Sequence, residues 1–122
     1  MTMTGRVLVI DDDPMQLELV ERGLSRDGYE VRVVTTLAEM AREAKEFAPN
    51  VILIDVNMPD TSGEHTIAVA RQVAPTARLI LYSAWENSKL RVLALQLGAD
   101  GFISKSESVV AIGRRLQDLQ RG

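Results

Sequence analysis

The chain has 122 residues, enough for one domain with a continuous core (residues 1–122) and too few for two. It holds no cysteine, which excludes disulfides and thiolate metal sites, and its formal charge of −3 argues against a general nucleic-acid binder, which needs a basic surface. No leader-like stretch opens it and no apolar run approaches the ~20 residues of a membrane span, so a cytoplasmic protein with no membrane partner is expected.

Arg6 to Ile10 reads as a buried strand. Asp13 is the expected N-cap of a helix that Pro14 opens, since proline at the first helical position loses no hydrogen bond. Met15, Leu19, Val20 and Leu24 form its expected apolar stripe, and Gly28 ends it. Glu30 to Val34 is short and β-branched, a second strand. Thr36 to Glu39 is a capping-box pattern, after which Leu37, Met40, Ala41, Ala44 and Phe47 recur at helical spacing until Pro49. Val51 to Ile54 is a continuous apolar run, as in a strand covered on both faces. Asp60 to Gly63 is loop chemistry before a helix from about Glu64 to Val73. A strand at Leu79–Tyr82, a helix at Glu86–Leu97, a short strand at Gly101–Ser104 and a helix from about Glu107 to Gln120, with Ser106 as its N-cap, complete the chain. Five strand-then-helix units predict an α/β fold, a parallel sheet between helical layers joined by right-handed crossovers. Ligands in such folds bind beyond the carboxyl ends of the strands, where strand order reverses.

The residues that follow the strands are chemically distinctive. Asp11, Asp12 and Asp13 follow the first, Asp55 the third, Ser83 the fourth and Lys105 the fifth. All lie on one edge of a parallel sheet, and Asp11, Asp12 and Asp55 converge if the first and third strands are neighbours. Two carboxylates ~4 Å apart repel by ~4 kcal/mol at an effective dielectric near 20, so the cluster calls for protons or a cation. Mg²⁺ suits it, taking one or two carboxylates, several waters and phosphate oxygens. With the Ser83 hydroxyl and the Lys105 ammonium, the set suits a phosphoryl group, the carboxylate being a possible nucleophile.

Ile10-Asp11-Asp12-Asp13-Pro14, Ile54-Asp55-Val56-Asn57-Met58-Pro59 with Gly63, Tyr82-Ser83-Ala84 and Gly101-Phe102-Ile103-Ser104-Lys105 resemble the four signatures of response-regulator receiver domains, in order and over the whole chain. The resemblance implies a flavodoxin-like doubly wound (βα)5 fold with strand order 2-1-3-4-5. It implies that Asp55 accepts a phosphoryl group from a histidine kinase, a phosphotransfer protein or a small phosphodonor. It further implies that Asp12 and Asp55 ligate Mg²⁺ by side chain, Asn57 by its backbone carbonyl and Asp11 largely through metal-bound water. Ser83 and Lys105 would engage phosphoryl oxygens. Phe102 matches the aromatic switch position that turns inward as Ser83 moves, relaying the state through helix 4, strand 5 and helix 5. Such a chain is a signalling switch, at most phosphorylating itself from small donors and dephosphorylating itself, and a monomer or weak homodimer.

Two departures stand out. Ser106 replaces the usual proline after Lys105; a cis non-proline bond costs ~3–4 kcal/mol, so the loop either keeps that strain or relaxes to trans. Trp85 lies two residues beyond Ser83, by the expected pocket, where an indole could hinder the attacking water and slow dephosphorylation. His65 is expected to face solvent, and Tyr29, Tyr82 and Phe47 to pack. In helix 4, Leu90, Leu93, Ala94 and Leu97 form a core stripe while Val92 and Leu95 face away, as a partner or dimer contact would. Three other functions compete. A receiver-like module acting without phosphorylation is opposed by the complete acid set but left open by Ser106. An aspartyl phosphatase would place an Asp where Asn57 stands. A flavin or nucleotide binder would not carry an Asp-Asp-Asp-Pro first loop, which repels phosphate unless a metal intervenes.

Overall fold

The computed structural model describes residues 5–106 and 109–121. Five strands, β1 (Arg6–Ile10), β2 (Glu30–Val34), β3 (Val51–Asp55), β4 (Arg78–Ser83) and β5 (Gly101–Ser104), alternate with five helices. The helices are α1 (Pro14–Arg26), α2 (Leu37–Phe47), α3 (Gly63–Val73), α4 (Asn87–Leu97) and α5 (Val109–Arg121). The strands form one parallel sheet in the order β2-β1-β3-β4-β5, as the resemblance implies. The predicted start of the last helix, Glu107, lies outside the described residues.

Strand alternation divides the core into two layers. Leu8, Ile10, Ile52, Ile54, Leu79 and Leu81 face α2, α3 and α4. Val7, Val9, Val51, Leu53, Ile80, Tyr82 and Ile103 face α1 and α5. The predicted α1 stripe is corrected: Met15 and Leu19 are 74% and 50% exposed, while Leu17, Val20, Gly23 and Leu24 are buried. At about 100° per residue, Leu17, Val20 and Leu24 share one side and Met15 and Leu19 the other, so the helix carries two apolar sets and only the first meets the sheet.

The caps follow the sequence closely. Asp13 accepts the Met15 N–H at 3.0 Å, and Gly28, with φ 102°, follows the α1 C-cap. Thr36 Oγ accepts the Glu39 N–H at 3.2 Å, but the Glu39 carboxylate reaches back to the N–H of Thr35 (3.3 Å), one residue before the cap. Tyr29 is buried and its hydroxyl donates to the Gly113 carbonyl (2.9 Å), and Phe47 is buried beneath the Arg32 guanidinium. His65 is exposed, as expected. Leu90 and Ala94 are buried, Leu93 and Leu97 pack against the core, and Val92 and Leu95 are exposed.

Candidate functional site

The site lies where the strands run out at their carboxyl ends. Asp11 continues the alternation of Val7 and Val9, Asp55 that of Val51 and Leu53, and Lys105 that of Ile103, so all three emerge on the α1–α5 face. β1 and β3 are paired neighbours, which brings their terminal acids together. Carboxylate oxygens of Asp11, Asp12 and Asp55 lie within 4.8 Å of one another; Asp11 and Asp55 are buried and Asp12 is exposed.

The electrostatics of this cluster are unbalanced. Lys105 Nζ lies 2.8 Å from Asp11 Oδ2 and 3.7 Å from Asp55 Oδ2, one cation against two buried acids. Burial raises the Asp55 carboxyl to about 6, and its hydrogen bonding and repulsion with Asp11 add to this. The Asn57 N–H at 3.0 Å and the Lys105 charge work the other way. Asp11 Oδ1 accepts the Asp13 N–H at 3.0 Å, which fixes the turn into α1. Oxygen-only donors, clustered and short of positive charge, fit a hard divalent cation such as Mg²⁺.

Ser83 ends β4 on the opposite face of the sheet from Tyr82. Its Oγ accepts from Asn57 Nδ2 (3.3 Å) and from the Trp85 N–H (3.2 Å), which leaves its own O–H to donate outward. The Lys105 N–H donates to the Ser83 carbonyl at 2.6 Å, tying the two loops together. Among the described residues no peptide bond is cis, so Lys105–Ser106 is trans, and Lys105 still reaches the acids. Ser106 is held instead through Ser104: the two hydroxyls lie 2.8 Å apart, and Ser104 Oγ donates to the Trp85 carbonyl at 2.9 Å.

One expectation needs adjusting. Trp85 approaches the site by its backbone, while its side chain lines a groove of about 440 Å³ with Ser88, Lys89, Val92, Leu93 and Gln96. Tyr82, read as a packing residue, is buried in the α1–α5 layer as expected, and it also makes polar contacts: Gln16 Nε2 donates to its hydroxyl at 2.7 Å, and Lys105 Nζ lies 5.2 Å from its ring centroid. Phe102 is half-buried and packs against the α2–α4 layer.

Comparisons with known proteins agree with this architecture. The profile of the response regulator receiver domain matches residues 7–117. The transcriptional regulatory protein PrrA of Mycobacterium tuberculosis is 34% identical over 116 residues, covering 95% of this chain and 50% of that protein. KdpE of the same species is 38% identical over 99 residues, covering 81% of this chain and 43% of that protein. The chain thus spans about half the length of the curated relatives it matches. Among solved structures, the signal receiver domain of NarL from Mycobacterium tuberculosis superposes with a TM-score of 0.81 at 32% identity, covering 98% of both chains. The chemotaxis response regulator CheY4 of Vibrio cholerae shares the fold, with a TM-score of 0.83 at 24% identity over 97% of this chain and 99% of that one. With a family profile over most of its length and relatives above 30% identity on the same stretch, the chain belongs to the response regulator receiver domain family.

Proposed function

We propose that the chain is a phosphorylation switch whose acceptor is Asp55, charged by a sensor histidine kinase or phosphotransfer protein in the cytoplasm. The observation that carries this reading is the convergence of buried Asp55 with Asp11, Asp12 and Lys105 at one sheet edge. No helix among the described residues is long and apolar enough to cross a membrane.

Each residue then has a task. An Asp55 carboxylate oxygen attacks phosphorus as the bond to the donor nitrogen breaks, and the departing imidazole takes up a proton. A carboxyl at about 6 is mostly ionised near pH 7, as a nucleophile must be. Asp12 and Asp55 by side chain, Asn57 by its carbonyl and Asp11 through water would hold Mg²⁺, which when bound neutralises charge on the phosphoryl oxygens. Lys105 is placed to move from Asp11 to a phosphoryl oxygen as negative charge arrives. Ser83 turns its free O–H to another oxygen, which pulls on Asn57 and on the Trp85 N–H. Phe102 and the exposed Val92 and Leu95 lie on or beside β5 and α4, where this motion would reach a partner or a second copy. Unchanged partner binding and oligomeric state in a Val92→Ser, Leu95→Ser variant would count against that surface.

The test is incubation with a small phosphodonor and Mg²⁺, followed by intact mass and mapping. The expected result is one phosphoryl group on Asp55, absent in Asp55→Asn and absent with a chelator. A modification mapped elsewhere, or none, overturns the reading. Trp85→Ala tests whether an indole that lines the α4 groove also hinders water at the phosphoryl group: faster loss of phosphate than wild type supports that role, and an unchanged lifetime removes it.

A further inference from the structure

Tyr82 is an uncharged side chain set beside charged ones. In the sheet its Cα is partnered by Asp55 on one side and Ile103 on the other. Its ring emerges on the α1–α5 face, the face from which Asp11, Asp55 and Lys105 also project. The ring is buried and its far end is anchored, because Gln16 Nε2, from α1, donates to the hydroxyl at 2.7 Å. Burial pushes the phenol up to about 12, so it stays neutral over the whole working range.

Lys105 is the charged side chain beside it. A lysine side chain is a flexible stem with a compact charge, and holding it in one geometry costs rotamer freedom. Here the ammonium sits between two kinds of neighbour: Asp11 and Asp55 oxygens at 2.8 and 3.7 Å, and the Tyr82 ring centroid at 5.2 Å. The carboxylates attract it strongly, and in the proposed reaction it must leave Asp11 for a phosphoryl oxygen. A ring face attracts a cation through its quadrupole without occupying any of its three N–H donors. The ammonium can therefore slide along such a surface while keeping its hydrogen bonds for oxygen.

We propose that Tyr82, fixed by Gln16, is a positioning residue for Lys105, its ring guiding the ammonium between Asp11 and the phosphoryl group on Asp55. This rests on Asp55 being the acceptor. The ring, not the hydroxyl, makes the contact; the hydroxyl and Gln16 hold the ring in place.

The experiment measures the rate at which the full chain acquires a phosphoryl group from a small phosphodonor with Mg²⁺, by quenched intact mass. Tyr82→Leu is expected to slow uptake about 3- to 30-fold, the range of a partly desolvated cation–ring contact. Tyr82→Phe, which keeps the ring, restores the rate to within about threefold of wild type. In a Lys105→Ala background, Tyr82→Leu has no further effect, because the contact it removes is already gone. Should Tyr82→Leu not fold, Tyr82→Met carries the same cycle. The proposal is overturned if removing the ring leaves the rate unchanged, or if it slows the Lys105→Ala background by the same factor. It is equally overturned if Tyr82→Phe is as slow as Tyr82→Leu. A wild-type chain that takes up no phosphoryl group overturns the acceptor assignment itself, and this proposal with it.

Discussion

The interior of the sheet and its carboxyl edge are equally buried and energetically opposite. Val7 to Ile10, Val51 to Ile54 and Leu79 to Leu81 are apolar and shut off from water. Just beyond these runs, Asp11, Asp55 and Ser83 are buried as well, but they carry charge or an unspent hydroxyl. Burying a methylene stabilises by about 0.8 kcal/mol, whereas burying a carboxylate short of countercharge costs stability. The contrast shows where the fold's stability comes from and where it is given up: the strands hold the acids in a place the acids themselves disfavour.

Mutations on either side of that boundary should therefore have opposite signs. The largest expected effect is at Leu53, fully buried in the α1–α5 layer. Leu53→Ala is expected to lower unfolding free energy by about 2–5 kcal/mol in denaturant melts. A loss under about 1 kcal/mol would mean the layer collapses around the gap and the contrast is weaker than drawn.

Asp55→Asn should stabilise. The folded-state value of about 6 lies above the unfolded 3.8, so the folded chain keeps its proton to higher pH than the unfolded one does. Stability therefore falls as pH rises from about 4 to about 6, and the full cost is present above that window. The variant should gain about 1–3 kcal/mol at pH 7.5, and the gain should vanish near pH 4. A gain independent of pH would point to packing and not to charge. The same logic applies to added metal: Mg²⁺ at ten times its dissociation constant should stabilise wild type by about 1.4 kcal/mol and Asp55→Asn by less, read as a shift in melting.

The strands were legible because each is a short apolar or β-branched run bounded by turn residues, with β5 ending just before Lys105, whereas their order came from the family resemblance. The convergence of Asp11, Asp55 and Lys105 was legible for a related reason: parallel strands deliver whatever follows them to one edge. The face of α1 was not, since Met15 and Leu19 are as apolar as the buried Leu17 and Val20, and only the sheet's position decides between the two sides. Nor was the Gln16–Tyr82 bond, which joins residues 66 positions apart through side chains that each have an ordinary local reading. The trans bond at Ser106 follows from ordinary peptide energetics once proline is absent, but the Ser104 hydroxyl that steadies the loop in its place gives no sequence signal.

The smallest expected effect lies at the amino edge of the sheet, at the opposite end of β3 from Asp55, and it asks whether strain there serves function as it does at the other edge. Ala48 caps α2 in the left-handed region, with φ 52° and ψ 63°, and its N–H donates to the Ala44 carbonyl at 3.1 Å. Among the described residues it is the only non-glycine with positive φ. A Cβ in that region costs about 1 kcal/mol, and Pro49, which follows, prevents the helix from continuing to relieve it. Glycine removes the clash but loses more entropy on folding, so Ala48→Gly should gain only about 0.5–1 kcal/mol. Ala48 contacts none of the acid cluster, so phosphoryl uptake should be unchanged. A stabilised chain with altered uptake would mean that the two edges are coupled through α2, and that the cost borne by the acids is not confined to their own edge.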